Sequence, residues 1–232
     1  VKEGLFNSFV YGAINLEATM FAVGETHDTP RLSAREGKED LCEMITLYNM
    51  FIPNTVPFLN SGQEVFERQP MNTGLDCRPD EAFLLEKTHP FYGKLALFDR
   101  FAFDYNHPKR WQIIEKLEKI YPIRKKYLSS ITNKKKVFPL GFNAPWDPAA
   151  GMGFVKGNQC LLAIVNTEFE HTFYHTVRVD NLPKQFLERD VTIKCLFSSK
   201  DNPHKDITIN EYGIMYLECE PFEVILLEIK AK

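Results

Sequence analysis

Apolar and polar positions alternate along this chain in two distinct rhythms. From Val1 to Leu16, Leu5, Phe6, Phe9, Val10, Ala13 and Ile14 recur at spacings of three and four, which predicts an amphipathic helix. Met20 to Val23 is a short apolar run with the character of a buried strand, and Gly24 ends it. Helical spacing returns between Lys38 and Phe51, through Leu41, Met44, Ile45, Leu47, Tyr48 and Phe51, until Pro53 and Asn54 stop it. Ser33 and Glu36 ahead of it have capping-box spacing. Val56 to Leu59 is a second strand-like run, although Pro57 fits poorly in a hydrogen-bonded central strand. The order helix, strand, helix, strand predicts neighbouring parallel strands joined by a right-handed helical crossover.

Val65 to Asn106 is long, irregular and rich in Phe, Tyr and Arg, as suits a wall or lid over a site, with short helical pieces at Phe83 to Leu85 and Leu95 to Phe103. A further helix begins near Pro108 and runs through Trp111, Ile113, Ile114, Leu117 and Ile120. Pro122 should break or kink it before the pattern resumes through Ile123 to Leu128. Beyond Lys136 the rhythm shortens. Val137–Phe142, Gln159–Thr167, Thr172–Val179, Val191–Phe197, Asp206–Ile209, Gly213–Glu218 and Glu223–Ile229 are β-rich and separated by turn residues, which predicts an antiparallel β-sandwich. The boundary falls near residue 133, giving domains 1–133 and 134–232.

Composition narrows the classes. A length of 232 residues, 44% hydrophobic, allows one large domain or two ordinary ones. A net charge of -3 gives no reason to expect nucleic acid or a membrane surface as partner, and no run of about 18 apolar residues predicts a membrane span. No basic-then-apolar leader is visible at Val1. The five cysteines (Cys42, Cys77, Cys160, Cys195, Cys219) are widely spaced and odd in number, which favours free, mostly buried thiols and a reducing, cytoplasmic compartment. Arg124, Lys125, Lys126 and Lys134 to Lys136 read either as a phosphate-binding patch or, preferably, as a solvated helix end and linker.

The densest chemistry lies at the end of the first strand: Glu25, Thr26, His27 and Asp28, closed by Pro30 and Arg31. Two carboxylates and an imidazole at a strand's C-terminal end are what parallel α/β active sites use, and equally what a strand-to-loop turn uses to satisfy its backbone. His171 and His175 are a weak metal pair: on a strand, four residues separate them by about 13 Å on one face. No cofactor or metal is called for.

Thr26-His27-Asp28-Thr29-Pro30-Arg31 resembles the fourth conserved stretch of the alpha-amylase superfamily, glycoside hydrolase family 13, usually written Asn-His-Asp. Val56 to Glu64, ending Gly62-Gln63-Glu64, resembles that family's eighth-strand segment, one helix further on. Leu117 to Leu128 looks like its last barrel helix and the β-rich tail like its C-terminal domain. Pro70 to Leu75 is similar to the maltosyltransferase and glucanotransferase branch. The resemblance implies the last part of a (β/α)8 TIM barrel followed by a C-terminal antiparallel β-sandwich.

It also implies roles. Asp28 would be the third catalytic carboxylate, holding substrate hydroxyls in the distorted, oxocarbenium-like transition state, and His27 would donate to a hydroxyl in the same subsite. Arg31 either orients a carboxylate at the substrate or makes a loop salt bridge. Glu64 faces the site or caps its loop, and Glu25 has no counterpart. Thr26 departs from the usual Asn, which should alter a hydrogen bond behind the site. The implied partners are an α-glucan or maltooligosaccharide substrate and the missing N-terminal part of the barrel, because a full barrel takes about 250 residues. The nucleophile and acid/base carboxylates have no place in these residues, so the chain alone should be inactive. The alternative is a non-catalytic carbohydrate-binding or accessory module, with Trp146 and Tyr174 as candidate platforms, although Trp146 reads preferably as a ring packed at the interdomain seam. Phe66, Phe83, Phe91 and Tyr92 are either sugar-stacking rings or core.

Overall fold

The computed structural model describes residues 5–72, 84–142, 147–179, 181–187 and 190–232. Two compact units interleave along the chain: Val1–Met20, Met50–Val56 and Lys119–Lys232 in one, Phe21–Asn49 and Pro57–Glu118 in the other.

The first unit is built on antiparallel sheets. Strands β3 (Val137–Pro139), β4 (Gly141–Phe142), β5 (Ala149–Lys156), β6 (Gln159–Asn166), β7 (Phe173–Arg178), β8 (Val191–Ser198), β9 (Ile214–Cys219) and β10 (Val224–Ala231) form a five-stranded sheet, ordered β3-β5-β6-β10-β8, and a three-stranded sheet, β4-β7-β9. Leu162 and Ile164 of β6, Val177 of β7, Met215 and Leu217 of β9, and Ile225, Leu227 and Ile229 of β10 share one buried core. Alternate residues of β7 and β9 face it, which is the period-2 pattern in the sequence. β10 lies inside the sheet, between β6 and β8, and its Val-Ile-Leu-Leu run is buried throughout, so it does not alternate.

The sequence missed β5. Its Ala-Ala-Gly-Met-Gly composition resembles a turn, yet six of its eight residues are buried. The glycines make room for the neighbouring strand's side chains: Gly153 pairs with Phe138, and a Cβ there would lie 2.0 Å from the Phe138 ring. Gly151 likewise leaves space for Leu140. In the opposite direction, Asp206–Ile209 forms no strand. Ile207 and Ile209 still pack against the core, so their alternation reports burial without a ladder.

Helix α1 (Leu5–Ile14) buries Val10 and Ala13, while Phe9 is exposed. Helix α2 (Lys38–Asn49) and the strands β1 (Met20–Ala22) and β2 (Thr55–Pro57) follow, the latter two forming a two-stranded sheet. Helix α3 (Gln112–Ile131) runs through Pro122 without a break. Its buried residues, Ile113, Ile120, Tyr127 and Ile131, keep one stripe along the whole helix, and Pro122 lies on the exposed side. Arg124, predicted to lie in a basic patch, is buried and donates to the carbonyls of Met50 and Thr55. Lys134 to Lys136 are exposed, as a solvated linker would be. A short helix α4 (Lys184–Leu187) buries Phe186. No helix among the described residues is long and apolar enough to cross a membrane.

Glu228 of β10 accepts from Tyr127 Oη at 2.8 Å and Lys126 Nζ at 2.5 Å. Burial alone would push its carboxyl up, but these donors outweigh it and hold it below the usual glutamate value of 4.5. A carboxyl depressed in the folded state adds stability above its unfolded value and loses that stability as pH falls through the folded one. We expect denaturant stability to fall more steeply in wild type than in Glu228→Gln between about pH 6 and about pH 3, by about 0.5–1 kcal/mol.

In the second unit, α2 is buried along most of its length, including Glu43, whose charge is met by Lys116 Nζ at 2.7 Å and Gln112 Nε2 at 2.5 Å. Ser33 and Glu36 do not cap this helix: Ser33 lies in a separate 3-10 turn, Leu32–Ala34, and Gly37 turns the chain into α2 at φ 91°. The segment from Phe66 to Trp111 contains turns but no helix or strand among its described residues, so Leu95 to Phe103 is not helical. A row of rings organises it instead: Phe91 on Phe101 at 5.1 Å, Phe101 on Phe103 at 5.8 Å and Phe103 on Tyr105 at 6.4 Å between centroids. Phe66 is core, against His107. Tyr92 is partly exposed, and Phe83 lies outside the described residues.

Among the described residues Cys42, Cys160, Cys195 and Cys219 are free thiols. Burial pushes Cys42 and Cys160 up to about 12, so both stay protonated and inert.

Candidate active site

β1 delivers its polar loop from a tightly packed base. A Cβ on Gly24 would lie 2.7 Å from both Ile45 and Leu32, so a larger residue would have to displace these two side chains. Thr26 then shapes the turn. Its hydroxyl accepts from Asp28 N at 3.2 Å, and its own N–H donates to Thr29 Oγ1 at 2.9 Å. The threonine that departs from the usual asparagine is thus a turn residue that presents Asp28.

His27 and Asp28 emerge side by side, with side chains 56% and 39% exposed and His27 Nε2 3.0 Å from Asp28 Oδ2. The other carboxylate oxygen, Oδ1, accepts from Asn72 Nδ2 at 3.0 Å. An open carboxylate with one partner on each oxygen keeps a lone pair on each for a further donor. That arrangement can hold two adjacent hydroxyls.

Behind this edge lies a second, closed pair. Arg31 and Glu25 are buried, and Arg31 Nη1 reaches Glu25 Oε1 at 2.8 Å. Glu25 also accepts from Leu32 N at 2.6 Å and Asn60 Nδ2 at 3.2 Å. Arg31 donates further to Ser61 O at 2.7 Å and Gln69 O at 3.1 Å, with its guanidinium 5.7 Å from the Phe103 ring centre. Of the two readings of Arg31, the geometry displays the loop salt bridge. Glu25, which had no motif counterpart, is its partner.

Gly62-Gln63-Glu64 closes the loop after β2. Gly62 adopts φ 91°, and a Cβ there would lie 2.9 Å from Phe103. Gln63 is buried and donates to Thr46 Oγ1 at 2.6 Å, tying the loop to α2. Glu64 is half-buried, and its carboxylate accepts from Gly62 N at 2.8 Å, which is a capping contact. Next along the loop, Glu67 is buried and accepts from Arg68 N and Gln69 N, both at 2.8 Å. Burial pushes its carboxyl above the usual range.

The structure therefore brings His27 and Asp28 together at the surface, buries Arg31 against Glu25, and turns Glu64 back onto its own loop at Gly62 N. Sequence reading missed Asn72 as a partner of Asp28. Nothing local signals it, because the two lie 44 residues apart. His171 is exposed, whereas His175 is buried against Asp147 at 2.6 Å, and no cluster of three metal-ligating side chains exists among the described residues. Tyr174 is 72% exposed, and Trp146 lies outside the described residues.

No family model matches the chain, and no curated protein matches it. Solved structures do. An alpha-amylase from Geobacillus thermoleovorans, complexed with acarbose, aligns over 92% of this chain and 39% of its own at 16% identity, with a TM-score of 0.56. A maltogenic alpha-amylase from Thermotoga neapolitana aligns over 92% and 41% at 12% identity, TM-score 0.59. The isomaltulose synthase of Klebsiella sp. LX3 aligns over 99% and 47% at 13% identity, TM-score 0.59. The chain thus has the fold of part of the alpha-amylase-type structures, spans less than half of their length, and covers them as a C-terminal portion would.

Proposed function

We propose that these residues are the C-terminal portion of a retaining glycosidase or transglycosylase of alpha-amylase type acting on α-1,4-glucans. The observation that carries this reading is the exposed His27–Asp28 pair at the end of β1 in a chain with that fold. Residues 1–133 are the last part of a (β/α)8 barrel and residues 134–232 a β-sandwich. Asp28 is the carboxylate that grips vicinal hydroxyls as the sugar ring distorts, and His27 donates to a hydroxyl in the same subsite. Arg31 serves the substrate indirectly, by holding the two loops in place, and Glu64 by capping its own loop at Gly62 N. The nucleophile and acid/base carboxylates lie outside these 232 residues.

The exposure of apolar side chains on both short strands supports the missing barrel. Phe21 is 65% and Met20 52% exposed on β1, and Val56 is 48% exposed on β2. Phe58, next to β2, is 40% exposed and meets Phe21 edge-on at 5.9 Å. Strands in a complete barrel are covered on both faces.

The test is product analysis. The whole protein that contains this chain, given maltoheptaose, should release shorter or longer α-1,4-glucans whose new reducing ends are first seen as the α-anomer by proton NMR. An initial β-anomer, or no change in the substrate, would contradict the assignment.

A further inference from the structure

We propose that Asn72 is a positioning residue for Asp28 and that the 67–72 segment is the strap that carries it. The inference rests on the reading of Asp28 as the hydroxyl-gripping carboxylate. Asp28 sits in an exposed turn, where a carboxylate is free to rotate about its side-chain bonds. Asn72 Nδ2 fixes one oxygen at 3.0 Å, and His27 Nε2 lies 3.0 Å from the other. With each oxygen held once, the plane of the carboxylate is set and one lone pair per oxygen remains outward.

The strap has its own anchors. Buried Arg31 donates to Gln69 O at 3.1 Å, three residues before Asn72. Gln69 in turn accepts from Leu84 N at 3.0 Å through its side chain. Glu67 receives the N–H groups of Arg68 and Gln69. Met71 O accepts from Leu97 N at 3.1 Å. The residues on both sides of Gln69 are therefore held by the protein before substrate arrives.

Three variants of the whole enzyme test this on maltoheptaose. Asn72→Ala should lower kcat about 10- to 100-fold with KM little changed, because the lost hydrogen bond to a charged group is felt as the ring distorts. Asn72→Asp sets a second carboxylate beside Asp28, so the acid limb of the pH–rate profile should move up by about one pH unit or more. Adding Asn72→Ala to Asp28→Asn should cost almost nothing further, since two residues acting as one unit are not additive. A merely structural Asn72 would lower the stability of Asn72→Ala while leaving kcat of the folded variant unchanged. If Asp28→Asn abolishes turnover while Asn72→Ala keeps kcat and Asn72→Asp keeps the wild-type profile, the proposal fails and the assignment of Asp28 stands. If Asp28→Asn is as active as wild type, the underlying reading fails first.

Discussion

On the proposed function, replacing Asp28 by Asn in the whole protein should lower kcat on maltooligosaccharides by about 10²- to 10³-fold and leave the fold intact. The two halves of this expectation come from different facts. The catalytic half follows from charge. Asn keeps the shape and one acceptor oxygen but presents an amide where the second oxygen stood, so it cannot accept from two adjacent hydroxyls. The loss is largest in the transition state, where positive charge builds on the ring, so kcat and kcat/KM should fall together. The structural half follows from exposure. The Asp28 side chain is 39% exposed, and among the described residues its oxygens meet His27 and Asn72, so neither the core nor a buried charge is disturbed. Thermal unfolding followed by circular dichroism should shift by no more than about 2 °C. An unchanged kcat would remove Asp28 from the site. A large drop in melting temperature would make it a structural residue.

The contrast between Asp28 and Glu25 shows what the sequence could and could not display. Both are carboxylates in one short loop, three residues apart. The exposed one was legible because Gly24 ends the strand and Pro30 bars regular structure, leaving the residues between them in a loop. The buried one was not, because its partners come from the other loop and from six residues downstream. Burial of a charge is decided by whether a guanidinium and two N–H donors converge on it, and convergence is a property of the tertiary fold. The same limit explains β5. Gly151 and Gly153 look like turn residues until the side chains of Leu140 and Phe138 are seen to fill the space they leave. The antiparallel pairing of β6, β7, β9 and β10 was readable because each carries its own run of core residues. Helix α3 is readable from its apolar stripe, which continues on both sides of Pro122 and holds the helix through it.

Arg31 gives the largest expected effect on stability. Removing the guanidinium by Arg31→Met should destabilise the protein by about 3–5 kcal/mol, because Glu25 would be left as an uncompensated charge in the interior. Three other acceptors would lose at the same time: Ser61 O, Gln69 O and the Phe103 face. Glu25→Gln in the same protein should restore part of the loss, since the amide needs no counter-ion and keeps an oxygen for Leu32 N and a donor for its surroundings. Denaturant titration of the wild type, the single variants and the double variant closes this cycle, with a coupling of about 1–3 kcal/mol expected for groups in direct contact. The result also decides how Arg31 serves the site. A substrate contact would show as a raised KM with stability nearly unchanged. A clamp between the Asp28 loop and the 61–69 loop would show as lost stability, with activity falling only as the strap that carries Asn72 loosens.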